Sequence, residues 1–328
     1  FEIFLFLNNS KEDQCTRDFK NLVNDAINVS NLDNVSVLNK VREFKIDIMI
    51  DLMGYTSNQR IELFKNRLAR IQILWMGYCN TTGLNNMDYI ISDPNLILPD
   101  EQKYYAEKVI YMPKIWNCHC GFDLNRHENP PPCNKNNYFT FGSFNNFKKI
   151  SEKTINIWSK ILDNSNSKLI LKSSIGNSSE AREFILKKFP KKFHSENKII
   201  FMEGQMDKNE HLKKYNLVDL SLDTFPYNGV TTSFESIWMG VPILTIKGNN
   251  FISRCGESII NNLGLNEFIS KNEEEYILKA IDFTKNPDKL NILRKNLRSM
   301  AIKTPLFQSK EYCKNFEKAI NYISEKIV

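Results

Sequence analysis

The sequence predicts an α/β protein built from two doubly wound, Rossmann-like domains in tandem, with a ligand cleft between them and a closing helix at the C-terminus. Three observations predict it. Short apolar runs of strand length alternate with helix-length segments from the first residue to about residue 246. The alternation breaks at 117–137, NCHCGFDLNRHENPPPCNKNN, a polar stretch with a triple proline and no hydrophobic period, and then restarts. The length, 328 residues, suits two domains that each bury a core. This places a first lobe at 1–116, a connector at 117–137, a second lobe at 138–304 and a closing segment at 305–328.

In the first lobe, strands are expected at 1–7, 46–52, 71–76, 87–91 and 109–112. Each is short and apolar, as strands covered on both faces are. Helical patterns fall at 11–26 and 58–66. The opening FEIFLFLNN is already a strand pattern without a Met, so upstream sequence is expected, including a first strand and helix of this lobe. In the second lobe, strands are expected at 139–143, 168–171, 198–202, 219–222 and 243–246. Helices are expected at 152–162, 179–187, 208–215 and 231–239. At 309–327, Phe316, Ile320, Ile323 and Ile327 share one helical face.

A hydrophobic fraction of 41% with 25% charged residues fits a soluble globular chain. No apolar run reaches membrane-spanning length and the opening is not a signal peptide. The net charge of +6 is spread through an Asn-, Lys- and Ile-rich chain without a basic–aromatic stripe, so nucleic acid is not an expected partner. Seven scattered cysteines point to a reducing, cytoplasmic setting. Cys118-His119-Cys120 lacks the repeated pair spacing of a zinc site and reads as connector, so no metal is expected.

The most informative stretch is 220–248, LSLDTFPYNGVTTSFESIWMGVPILTIKG. Leu220, Leu222 and Phe225 close a strand; Pro226, Asn228 and Gly229 turn the chain; Thr231, Thr232 and Ser233 open a helix that ends at Gly240 before Pro242. A hydroxyl-rich helix start offers free N–H groups and a positive dipole end, which suit a phosphate; an ordinary cap between two strands explains the pattern equally well. Glu235, one turn in, is placed to hold ribose hydroxyls. Other strand ends add candidates. After 139–143 come Asn146, a donor to a diphosphate, and Lys149, a cation for leaving-group charge; a plain turn with a surface lysine is the alternative. Lys172 is a candidate second phosphate contact. Lys208 and His211 open a helix and suit a base or ribose. In the first lobe, Tyr55 and the loop with Thr81, Thr82 and Gly83 suit a sugar or acceptor hydroxyl. No Ser-His-Asp set, HExxH, Walker loop or GxGxxG occurs.

Six blocks together resemble the catalytic region of the O-linked N-acetylglucosamine transferases and their SPINDLY relatives: DLMGYT at 51–56, WMGYCNTTG at 75–83, MDYIISD at 87–93, FGSFNNFKKI at 141–150, LDTFPYNGVTTSFESIWMGVP at 222–242 and PLFQSKEY at 305–312. The resemblance implies a GT-B-type, metal-independent, inverting glycosyltransferase with no cofactor beyond its nucleotide-sugar donor, UDP-N-acetylglucosamine first. The acceptors it implies are Ser or Thr hydroxyls of proteins, held by upstream helical TPR repeats. It puts Lys149 at the diphosphate lysine and Asn146 where a glutamine is usual. Lys208 and His211 fall at the nucleoside, Thr231 and Thr232 at the phosphates, and Glu235 where the animal enzymes carry a ribose-binding aspartate. Asp47 and Val230 stand where those enzymes have histidines, and Cys79-Asn80 where Pro-Gly is usual. The family's Asp-Phe-x-x-His segment, with its proposed catalytic histidine, is expected upstream. Two alternatives remain: GDP-fucose as donor, or a nucleotide-binding but inactive segment.

Overall fold

A computed structural model describes residues 1–123, 130–204 and 207–325. The chain divides into two compact units. The first comprises Phe1–Ile91, Pro99–Ile110 and the chain end from Tyr322; the second comprises Ser92–Leu98 and Tyr111–Asn321.

The first unit begins with β1 (Phe4–Leu7), α1 (Gln14–Lys20), β2 (Asp25–Asn28) and α2 (Asn34–Glu43). β1 and β2 form a parallel two-stranded sheet of their own. β3 (Ile48–Asp51), β4 (Ile71–Leu74), β5 (Tyr89–Ser92) and β6 (Lys108–Tyr111) form a four-stranded sheet in that order. Two departures from the sequence pattern occur here. The helix expected over 11–26 is confined to α1, capped by Asp13 accepting from the Thr16 N–H; residues 21–24 turn the chain, and β2 takes up the end of the expected span. Pairing with β1 wins over a helical period that Val23, Ala26 and Ile27 satisfy equally well. The stretch 58–66 holds only a short 3-10 turn, Ile61–Lys65. The helix α2, capped by Asp33, carries the buried Val37 and Val41 one turn apart.

The second unit contains β7 (Phe139–Ser143), α3 (Glu152–Asp163), β8 (Ser167–Lys172), α4 (Ser179–Leu186), α5 (Lys191–Ser195), β9 (Ile199–Met202), α6 (Lys208–Lys213), β10 (Leu220–Leu222), α7 (Thr231–Trp238) and β11 (Ile243–Ile246). It continues through α8 (Phe251–Leu263), β12 (Ile269–Ser270), α9 (Glu273–Lys285), α10 (Pro287–Ala301) and α11 (Ser309–Ser324). The strand order is β12-β11-β10-β7-β8-β9, with parallel pairing throughout. From β7 the chain winds outward through β8 and β9, then crosses back to β10 on the other side of β7. β7 and β10 therefore flank the switch point, where loops leaving adjacent strands diverge and ligands bind in such sheets. Of the face expected on the last helix, Ile320 and Ile323 are buried, and Ile327 lies outside the described residues.

The core of this unit follows from strands covered on both sides. Phe141, Leu169, Leu171, Leu220 and Leu244 are fully buried, each worth about 1.5–3 kcal/mol relative to exposure. α3 adds Ile155, Trp158, Ile161 and Leu162 from one face, and its Ser151 cap accepts from the Thr154 N–H. At Gly142 in β7, a Cβ would stand 2.5 Å from Cγ2 of Val218, so only glycine lets the segment leading to β10 lie this close. Gly142→Ala is expected to cost about 1–3 kcal/mol by overpacking. Val218→Ala in the same chain should recover part of it, as read by urea unfolding of the two single variants and the pair.

Candidate functional site

The site is built around the loop that follows β10. Asp223 ends that strand, fully buried. Its carboxylate accepts from the N–H groups of Gly229 (2.7 Å) and Thr224 (2.9 Å) and from the Thr245 hydroxyl (2.9 Å). Burial pushes its pKa up to about 6, against the pull of these donors and of the Lys149 charge. α8 reaches this carboxylate because residue 256 is glycine: a Cβ there would meet Oγ1 of Thr245 at 2.2 Å and Oδ2 of Asp223 at 2.6 Å. The rest of the loop, with its cis Phe225–Pro226 bond, is held from several sides. The hydroxyls of Ser151 and Thr154 donate to the Phe225 carbonyl (2.7 and 2.6 Å), and Asn228 donates to the Thr224 carbonyl (2.9 Å). The Gly256 N–H donates to Oδ1 of Asn228 (3.1 Å).

Lys149 reaches this loop from the end of the β7 connection. Its Nζ donates to the Asn228 carbonyl at 2.8 Å and sits 4.0 Å from the centre of the Tyr227 ring. α7 then begins at Thr231 with Val230 at the cap position and no side chain capping it. Its first N–H groups are thus left without the side-chain acceptor that α2, α3 and α8 each have. Thr231 is exposed. The Thr232 hydroxyl donates to Oδ1 of the buried Asn145 (3.0 Å), which ties α7 to the β7 loop.

The sequence named Asn146 for the diphosphate. The structure places Asn146 on the surface, where its Oδ1 accepts from the Lys148 N–H (3.0 Å) and opens a short turn. The residue joined to the helix start is its neighbour Asn145. Glu235, expected to face ribose, is buried; its Oε2 accepts from Nε2 of His211 (2.9 Å) and from the Tyr215 hydroxyl (3.0 Å). Lys172, expected at a phosphate, instead meets Nδ1 of His211 at 2.7 Å. Lys208 is exposed at the start of α6, with its Nζ 5.1 Å from the centre of the Phe122 ring. Phe122 in turn stacks on His119 (4.1 Å, 19°). Burial chiefly, and the Lys208 charge second, hold the His119 pKa down.

The first-unit loops are equally built. The Tyr55 hydroxyl donates to the Thr82 carbonyl (2.9 Å), and its ring meets Tyr78 edge-on at 5.4 Å. Thr81 and Thr82 are not free donors. Their hydroxyls both bond to the carboxylate of Glu107, as does the Thr82 N–H at 2.6 Å. Gly83 takes a left-handed turn (φ 67°), and its N–H donates to Oγ1 of Thr81 (3.0 Å). Glu107 is fully buried, so the two threonines orient the loop through it. Among the described residues no group of three or more His, Cys, Asp and Glu is arranged to hold a metal, and no helix is long and apolar enough to cross a membrane. The Cys118 thiol bonds to the Leu306 carbonyl (3.3 Å).

Asp223, Asn145, Tyr227 and Glu107 escape a sequence reading for one reason: each acts through a partner 20 or more residues away, or through burial, which no local pattern displays. Only Asp223 carried a signal, an acid closing a buried strand before a turn.

The profile of glycosyl transferase family 41 matches residues 1–127 and 134–316. The chain belongs to glycosyl transferase family 41. It is 34% identical over 287 residues to a probable UDP-N-acetylglucosamine–peptide N-acetylglucosaminyltransferase SPINDLY of Eustoma exaltatum subsp. russellianum, covering 87% of this chain and 31% of the relative. It is 30% identical to the probable transferase SEC of Arabidopsis thaliana, over 89% of this chain and 31% of that one. A mutant of the O-GlcNAc transferase of Thermobaculum terrenum superposes with a TM-score of 0.91 at 26% identity, covering 99% of this chain and 62% of that one. The fold of this family-41 chain is the GT-B type, with two Rossmann-like α/β units. The chain spans about a third of the length of the curated relatives it matches.

The buried Asp223 gives a pH signature. Its folded pKa lies above the ordinary value of 3.8, so the fold favours the protonated acid. The contribution is complete below about pH 4 and is lost as pH rises through about 6. Between pH 4 and 7 the stability of wild type relative to Asp223→Asn is therefore expected to fall by about 2 kcal/mol. Urea unfolding of both proteins across that range checks this; a constant difference would show that the carboxyl ionises as easily in the fold as outside it.

Proposed function

We propose that this chain is the donor-binding and catalytic region of a protein O-glycosyltransferase. In this reading it binds a nucleoside diphosphate sugar, UDP-N-acetylglucosamine, in its second unit. The sugar passes to Ser or Thr hydroxyls of a protein acceptor with inversion. The observation that carries the reading is Lys149: its ammonium rests on the Asn228 carbonyl, in the loop that leads into the uncapped start of α7. A cation and a helix N-terminus converging at a switch point suit a diphosphate, first as ligand and then as leaving group. The names of the SPINDLY and SEC relatives, which specify UDP-N-acetylglucosamine and a peptide acceptor, support the substrate assignment.

In this mechanism Lys149 stabilises the negative charge that develops on the β-phosphate as the glycosidic bond breaks. The N–H groups of Thr231 and Thr232 and the hydroxyl of Thr231 take phosphate oxygens, while the Thr232 hydroxyl stays on Asn145. With that positive charge in place the reading needs no metal. Lys208, beside Phe122, takes the nucleoside side of the donor. Tyr55 and the backbone at Gly83 line the first-unit loop assigned to sugar or acceptor, with Thr81 and Thr82 holding its shape. Helical repeats outside this segment would hold the acceptor protein. A cytoplasmic setting is consistent with seven free cysteines.

Lys149→Met is expected to lower turnover of the full-length protein by about 10²–10³, the scale of losing one preorganised charge-stabilising donor, while its thermal midpoint stays near wild type. Wild-type turnover in that variant would remove Lys149 from the chemistry. Calorimetric titration with UDP and GDP decides the donor: preference for UDP supports the reading, and preference for GDP turns it to fucose transfer. Chelation with EDTA should leave turnover unchanged.

A further inference from the structure

Lys172, at the end of β8, is 3% exposed, yet burial acts against its charge and holds its pKa below the ordinary lysine value. A buried cation needs a partner, and the structure gives it one. Its Nζ lies 2.7 Å from Nδ1 of His211; Nε2 of His211 lies 2.9 Å from Oε2 of Glu235; the same oxygen lies 3.0 Å from the Tyr215 hydroxyl. With Lys172 carrying its charge, one proton arrangement satisfies all three contacts. An ammonium has donors and no acceptor, so Nδ1 must be the bare, accepting nitrogen. Nε2 then carries the hydrogen and donates to the Glu235 carboxylate. Burial and the Glu235 charge raise the Tyr215 phenol well above its ordinary pKa, so it remains a donor as well.

The ring is also fixed in angle. Phe144 lies 6.0 Å from it, tilted at 59°, and Tyr215 meets it edge-on at 5.9 Å and 89°. Phe144 packs on Tyr215 at 4.3 Å and carries Lys172 Nζ 5.9 Å from its centre. With both nitrogens engaged, His211 has no hydrogen-bonding group left for a ligand. It retains its carbon edge and face, a flat surface against which a base or ribose can lie, and it is still partly exposed.

We propose that Lys172 is a positioning residue for the nucleoside: it sets the tautomer and orientation of His211, and so the surface the nucleoside packs on. The proposal rests on the nucleotide-sugar reading above. Because His211 then reads no base edge, the effect falls on UDP and GDP alike.

The experiment is ¹⁵N imidazole NMR of the protein, with His211→Asn to assign the signal among only four histidines, followed by UDP titration of wild type and Lys172→Met. The expected wild-type signal is the neutral Nε2–H tautomer. In Lys172→Met that preference should be lost. KM for the donor should rise about tenfold, the scale of one lost hydrogen bond to a charged group, with kcat close to wild type. Lys172→Arg, which restores a donor, should recover part of both. A wild-type His211 with its hydrogen on Nδ1 overturns the proposal without any variant, even if Lys172→Met fails to fold. An unchanged tautomer or unchanged affinity in a folded Lys172→Met also overturns it. If wild type shows the stated tautomer but binds neither UDP nor GDP, the nucleotide reading fails and takes Lys172's role with it. Binding with the wrong tautomer removes Lys172's role alone.

Discussion

The second unit depends on one buried carboxylate. Asp223 stands where β10 ends beside β7, and three donors from three points of the chain converge on it: Thr224 next to it, Gly229 across the loop and Thr245 on β11. A carboxylate removed from water is costly unless its lone pairs are met; here meeting them folds residues 223–229 into a compact turn. The geometry of the site follows from that turn. The Asn228 carbonyl faces the position Lys149 occupies, and the next residues begin α7. Gly256 allows α8 against the same carboxylate, so the turn is backed by a helix and does not lie open to water.

Two lysines at strand ends of one sheet show how surroundings decide a role. Lys149 rests on a neutral carbonyl and an aromatic face and remains half-buried. In the reading above, that charge meets the diphosphate of the donor. Lys172 is buried and linked through an imidazole to Glu235. Its charge is already answered within the fold, and any influence on a ligand passes through the ring it holds. From strand-end position alone both read as phosphate lysines, and the family resemblance singled out only Lys149.

That contrast marks what was legible. The strands at 139–143 and 243–246 emerge where the apolar runs put them, because a strand covered on both faces writes its burial into consecutive residues. The turn at 226–229 was legible from Pro, Asn and Gly. What failed depends on pairing across distance. β2 exists because β1 lies beside it, and an identical local pattern reads as helix. Asn145 and Asn146 differ only in which side of a turn they face, and the turn's geometry sends the first inward to Thr232. Thr81 and Thr82 looked like ligand hydroxyls because Glu107, more than 20 residues on, gives no sign that it will fold back onto them.

Glu107 also explains why those threonines serve better as scaffold than as contacts. A loop with free hydroxyls would have to be ordered when a ligand arrives, and that ordering subtracts from affinity. Here one fully buried carboxylate holds two hydroxyls and an N–H before any ligand is present, while the glycine at 83 takes the left-handed turn that closes the loop. Tyr55 is locked to the same loop through the Thr82 carbonyl. The first unit thus uses the device seen at Asp223: a buried acid whose lone pairs are met by hydroxyls and N–H groups of the chain around it. In both units the acids shape the loops; in the reading above, the groups that meet the donor are cations, backbone N–H groups and aromatic surfaces, which suit an anionic, ring-bearing ligand.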